Sequence, residues 1–251
     1  MSVSLPEIEP LIARTADQLD REGFVCLENA VPMEWLESAR QHVRAHLDKH
    51  GEKFFSLIRP ADEAGSPFDT LVHDPRVRAL MRGLTQRVCP QGVVESEDIY
   101  NVLRVIAGPE GTDGACQFHY DASVVTILVP IFMPDPAKGP SGELVTLANR
   151  RPYRSSALVN LAEKALVQNR YAWRRTEQRI GDSGQYIQLL QPGNLYLFWG
   201  YRTYHGNLPC APNSLRATLL LHYGNPHGNT ALMRWVRDLR KSVEARRLSR
   251  T

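Results

Sequence analysis

The run Val124-Val125-Thr126-Ile127-Leu128-Val129-Pro130-Ile131-Phe132 is the most strand-like in the chain and constrains its fold more than any other stretch. β-Branched and apolar side chains pack well on a pleated surface, and here they follow one another almost without interruption. Similar short runs recur from residue 98 onward: Asp98–Ala107, Gln117–Asp121, Glu143–Leu147, Tyr186–Leu190, Leu195–Trp199 and Leu215–Tyr223. Turn residues such as Gly139-Pro140-Ser141-Gly142 and Pro192-Gly193 separate them. Many short strands between Gly/Pro turns predict antiparallel sheets folded onto one another.

Ahead of these strands the periodicity is helical. Ile8, Leu11, Ile12, Ala16 and Leu19 share one face of a helix over 8–21, and Trp35, Leu36, Ala39, Val43 and Leu47 do so over 33–48. A third helix runs from Pro75 to about Val88, with Val77, Leu80, Met81 and Leu84 inward. Gly23 stops the first helix, Phe24–Leu27 reads as a short strand, and 49–70 reads as irregular. The expected fold is mainly β with flanking helices, an antiparallel jelly roll with helices outside. One domain covers 1–251: a helical flank over 1–90, a core over 91–225 with an insertion over 150–182, and a C-terminal helix over 229–251. That last helix is basic, with Leu232, Trp235, Val236, Leu239 and Val243 on its apolar side, and either the barrel or a second subunit is a partner for it.

With 251 residues and 43% hydrophobic content, the chain can bury one substantial core. Its formal charge of +3 is too balanced to imply nucleic acid as a partner. No apolar run approaches the ~20 residues of a membrane-spanning helix. The start, MSVSLPEIEP, lacks the basic and apolar regions of a secretory signal, so a cytoplasmic protein is expected. Four widely spread cysteines are expected to be free thiols.

The chemistry-bearing residues gather around Phe118-His119-Tyr120-Asp121. If this segment is a strand, His119 and Asp121 face one way and Tyr120 the other. With His205, they form the 2-His-1-carboxylate set that holds ferrous iron on one face and leaves positions open. His-x-Asp on a surface strand also occurs by chance. A Cys116-x-x-His119 and His205-x4-Cys210 set reads alternatively as a structural zinc site. That alternative leaves Asp121 and Arg216 without a role.

The chain resembles the phytanoyl-CoA dioxygenase-like branch of the Fe(II)/2-oxoglutarate oxygenases over about residues 17 to 225. The resemblance is carried by Gly23-Phe24-Val25, His119-x-Asp121, Gly142-Glu143-Leu144, Pro192 to Phe198, His205-Gly206-Asn207 and Asn213-Ser214-x-Arg216. It implies a double-stranded β-helix, with Fe(II), 2-oxoglutarate and O2 as the reacting set and a small-molecule substrate. His119, Asp121 and His205 become iron ligands. Arg216 holds the far carboxylate of 2-oxoglutarate through its planar fork, and Thr218, two residues on, adds a hydroxyl. Asn101 and Thr126, the polar interruptions in two apolar strands, are expected beside the co-substrate. Phe55, Arg59, Trp199 and Arg202 are the substrate candidates. The Arg/aromatic segment from Arg151 to Arg175 reads either as a lid over an anionic or amphipathic substrate or as a solvated loop. Related halogenases lack the carboxylate that Asp121 supplies, so hydroxylation, desaturation or cyclisation is implied. Where family members carry a Pro-Gly-Ser-His-like segment, this chain has Leu147-Ala148-Asn149-Arg150-Arg151, a departure that leaves the chemistry intact but carries no relative's substrate over to this chain. A cupin-like isomerase or binding protein without 2-oxoglutarate is the competing reading.

Overall fold

Alternation of side chains along a few strands organises the molecule, a computed structural model that describes residues 3–93, 98–109, 115–154, 156–181 and 186–227. The larger sheet contains β1 (Val25–Leu27), β2 (Phe55–Ile58), β3 (Tyr100–Ile106), β4 (Val125–Phe132), β7 (Leu195–Phe198) and β9 (Arg216–Tyr223), in the order β1-β7-β4-β9-β3-β2. The smaller sheet runs β6 (Ile187–Gln188), β5 (Leu144–Leu147), β8 (Tyr204–Asn207). A bridge between His119 and His205 adds the His-x-Asp segment beside β8. All pairings are antiparallel. Two facing sheets in this order form a double-stranded β-helix, a mainly β fold with flanking helices.

On β9, Ala217, Leu219, Leu221 and Tyr223 point to one face, with Val125, Ile127, Val129 and Ile131 of β4 beside them. That face is covered by α1 (Ile8–Glu22), α2 (Met33–His50) and α4 (Pro75–Val88), whose apolar stripes join the same buried cluster. The short α3 (Asp69–Val72) precedes α4. Local signals set the helix ends: Gly23 takes φ 77° after α1, and Asp74 accepts from the Arg76 and Val77 amides ahead of Pro75. The alternate positions Arg216, Thr218, Leu220 and His222 face the small sheet. Cross-strand register extends them into rows: Phe198–Thr126–His222–Tyr100, then Leu128–Leu220–Val102–Ile58, then Thr218–Arg104–Ser56.

The insertion forms α5 (Ala157–Val167) and α6 (Arg170–Gly181), which cover the outer face of the small sheet. There Phe118, Tyr120, Val145, Leu147, Ile180 and Tyr204 form a second apolar cluster with Trp173 and Val167 against it. The order of layers is therefore helices, large sheet, cavity, small sheet, helices.

Two expectations change. The short strand expected at Phe24–Leu27 forms as β1, but the stretch read as irregular contains β2, and the two strands close the edges of the large sheet. The His-x-Asp segment is not a strand: it makes a single bridge, and its neighbours pair elsewhere. The helix expected over 229–251 lies outside the described residues. No helix among the described residues is long and apolar enough to cross a membrane.

Candidate metal centre

His119, Asp121 and His205 converge although 84 residues separate Asp121 from His205 in sequence. Among the described residues they are the one group of three His, Cys, Asp or Glu whose donor atoms come together, all within 4.8 Å. Asp121 Oδ1 stands 3.5 Å from His119 Nε2 and 3.6 Å from His205 Nε2. The backbone explains the approach: His119 and His205 exchange both N–H to O bonds, at 2.8 and 3.0 Å, and the Asp121 amide donates to the Gly200 carbonyl.

The imidazole tautomers follow from their other nitrogens. His119 Nδ1 is 2.8 Å from the Gln117 carbonyl, and His205 Nδ1 is 3.0 Å from the Thr203 carbonyl. A carbonyl only accepts, so each Nδ1 carries the proton and each Nε2 presents a lone pair toward Asp121. That is the arrangement found around metal-ligating histidines. Burial draws the His205 pKa down to about 4, keeping it neutral. Burial also opposes charge on His119, but the adjoining Asp121 carboxylate, which favours the protonated ring, outweighs this and raises that pKa. For Asp121, burial favours the acid, yet the histidines around it, His205, His222 and His119, hold its carboxyl well below the usual range.

A supporting chain fixes the second carboxylate oxygen. Thr126 Oγ1 donates to Asp121 Oδ2 at 2.5 Å. Having spent its proton there, Thr126 Oγ1 accepts from His222 Nδ1 at 3.1 Å. Gly200 completes the cradle, since a Cβ there would lie 2.4 Å from Thr126 Oγ1 and 2.6 Å from Asp121 Oδ2.

Beneath this cluster lies a cavity of about 90 Å³ with Leu128, Leu144, Phe198 and Leu220 among its walls. Arg216 lies two rows deeper, 2% exposed. Its Nε donates to the Gly142 carbonyl at 2.9 Å and its Nη1 to Thr218 Oγ1 at 3.3 Å. Gly142 has φ 71°, and a Cβ would meet Cys210 Sγ at 2.5 Å and Arg216 Cδ at 2.6 Å, so the glycine is what admits the guanidinium. Burial lowers the Arg216 pKa to about 10, which leaves it charged at neutral pH.

Other expected site residues lie elsewhere. Asn101 is one parity step out: it faces the helices, accepting from the Ala61 amide and donating to the Ile99 carbonyl. Thr126 faces inward but serves Asp121. Phe55 stacks on His46 with ring centres 4.3 Å apart, on the helix side. Arg59 pairs with Asp62 at the surface. Trp199 is buried in the main core, and its Nε1 and the Arg202 guanidinium both donate to Asp20. Cys116 bonds Glu177, and neither it nor Cys210 joins the metal group, so the zinc set does not assemble. Sequence reasoning missed Arg104, which lines the cavity from β3 opposite Thr218, and His222, which shares the parity of Arg216 and Thr218. A charged residue inside an apolar strand and an i, i+2, i+4, i+6 series were the available signals.

No protein-family model matches the sequence, and no curated protein does. Solved structures do match in shape. A prolyl 4-hydroxylase from Phytophthora capsici superposes with TM-score 0.55 at 18% identity, over 91% of this chain and 69% of that one. SnoN, a non-heme alpha ketoglutarate dependent epimerase from nogalamycin biosynthesis, gives 0.55 at 14% identity, over 86% and 81%. EctD from S. alaskensis gives 0.53 at 16% identity, over 89% and 80%. The chain shares their fold. Identity this low carries fold and no further.

Proposed function

We propose that this protein is a non-haem Fe(II)- and 2-oxoglutarate-dependent oxygenase, similar to the phytanoyl-CoA dioxygenase-like branch, that hydroxylates, desaturates or cyclises a small metabolite at an unactivated C–H bond. One observation carries the reading: a single cavity holds three converging N, N, O donors at its mouth and a buried, charged arginine at depth. The residues fit the reacting set. Two imidazoles whose Nε2 atoms converge on one ionised carboxylate suit ferrous iron, and a desolvated guanidinium beside a hydroxyl suits a carboxylate. His119, Asp121 and His205 would hold the metal, while Arg216 and Thr218 would hold the far carboxylate of 2-oxoglutarate. Iron and 2-oxoglutarate together supply O2-driven oxidation of a C–H bond, with succinate and CO2 as co-products.

The chain's own residues do the rest. Thr126 and His222 keep Asp121 ionised and aimed, so that Oδ1 alone faces the two imidazoles. Phe198, Leu128, Leu144 and Leu220 exclude water from the cavity, which strengthens each charge interaction within it. On the same concave face, Ile58 and Tyr100 remain 60% and 43% exposed and offer apolar surface to the substrate's body. Arg104 presents a second guanidinium on that side of the cavity.

The supporting epimerase likeness leaves the reaction outcome within the same Fe(II)/2-oxoglutarate chemistry. The cupin-like alternative gives Arg216 no ligand. Anaerobic Fe(II) with 2-oxoglutarate is expected to produce the chelate's visible absorbance band. In Arg216→Ala the 2-oxoglutarate affinity falls about 100-fold, from two charge-assisted bonds at ~1.5 kcal/mol each. Absence of the band in the parent chain, or unchanged affinity in the variant, refutes the reading.

A further inference from the structure

Arg151 belongs to the segment that the sequence offers as a lid, yet its guanidinium is buried behind the metal ligands, with the residue 4% exposed. Its Cζ lies 4.1 Å from the centre of the Tyr120 ring and 4.0 Å from that of Tyr201. Tyr120 is the residue between His119 and Asp121. Tyr201 follows Gly200, which bonds the Asp121 amide and abuts its carboxylate. One cation therefore joins the two backbone segments that enclose Asp121.

The rest of the fork is anchored with care. Nε donates to the Tyr201 carbonyl at 2.6 Å, Nη1 donates to Asn160 Oδ1 at 2.7 Å, and Nη1 is 3.5 Å from Glu163. Asn160 and Glu163 are on α5, and the next residue, Lys164, donates to the Asp121 carbonyl at 3.2 Å. Nη2 is buried without a hydrogen-bond partner among the described residues. A desolvated guanidinium that is one bond short is an expensive way to attach a helix, which apolar contacts would achieve at less cost. A planar cation between two ring faces does something apolar packing does not: it fixes the orientation of both rings.

We propose that Arg151 is a positioning residue of the metal centre. It locks Tyr120 against Tyr201 and so holds His119 and Asp121 in register with Gly200. The inference rests on the metal-binding reading above. The test is the Fe(II) affinity of the full chain, measured anaerobically by competition with a chromogenic chelator, together with the thermal midpoint of the metal-free protein. Arg151→Met and Tyr120→Leu are each expected to weaken Fe(II) binding about 10- to 100-fold, the usual range for groups that orient metal ligands. The double variant should lose no more than the larger single loss, because both remove one coupling. Arg151→Lys should recover part of the affinity by restoring a cation without the fork. If Arg151→Met does not fold, Arg151→Lys with Tyr120→Leu completes the cycle. Affinity within twofold of the parent, whether or not the thermal midpoint falls, overturns the proposal, as do losses that simply add. A parent chain that binds no Fe(II) refutes the metal reading itself and is distinct from either result.

Discussion

Thr126→Val is the sharpest probe of how the site is built. The residue is fully buried, and its hydroxyl is the short donor to Asp121 Oδ2. Valine retains the branched shape and removes only that donor. Hydrogen bonds to charged groups contribute ~1.5–3 kcal/mol, so the carboxylate loses about that much of its orientation and stabilisation. At 1.4 kcal/mol per tenfold, Fe(II) affinity should fall about 10- to 100-fold. His222 keeps Ser123 Oγ within 3.2 Å, so its own loss is softened. Thr126→Ser, which keeps the hydroxyl, should remain within about threefold of the parent. Chelator competition under anaerobic conditions reads both affinities. A valine variant that binds Fe(II) as tightly as the serine variant would show that Oδ2 needs no donor and that the chain from His222 through Thr126 to Asp121 is incidental.

Two further outcomes test neighbouring assignments. Gly200→Ala places a Cβ inside contact distance of both Thr126 and Asp121, so Fe(II) affinity should drop more than in Thr126→Val, with ~1–3 kcal/mol of stability lost to overpacking; calorimetry and chelator competition measure the two effects. Trp199→Phe removes the bond to the Asp20 carboxylate and should cost ~1.5–3 kcal/mol in denaturant unfolding while leaving Fe(II) and 2-oxoglutarate affinities unchanged, whereas a large affinity loss would return Trp199 to the site.

Much of the architecture was legible because it depends on local periodicity. The stripes of α1, α2 and α4 and the strands β4, β7 and β9 lie close to where spacing puts them. The metal set was legible as residue types, and Arg216 with Thr218 as two residues of one strand face. The misses share a cause. Asn101 and Arg104 occupy one apolar strand, and a side-chain period of two makes one face the helices and the other the cavity. Polarity alone does not say which. Trp199 and Arg202 lie close to His205 in sequence, but the chain turns between them, and both side chains reach Asp20 instead.

What the sequence determines by itself is therefore chemical identity and alternation. It supplies two imidazoles, one carboxylate, an arginine fork and the strands that can present them. The convergence of those donors is decided by tertiary structure, through a one-bridge contact between His119 and His205 and through the Gly200 carbonyl beneath Asp121. These contacts join residues about 80 positions apart, and nothing in local propensity encodes their distance. Tertiary packing likewise turns Arg151 from a lid residue into a strut, because only the folded barrel brings Tyr120 and Tyr201 to its two faces.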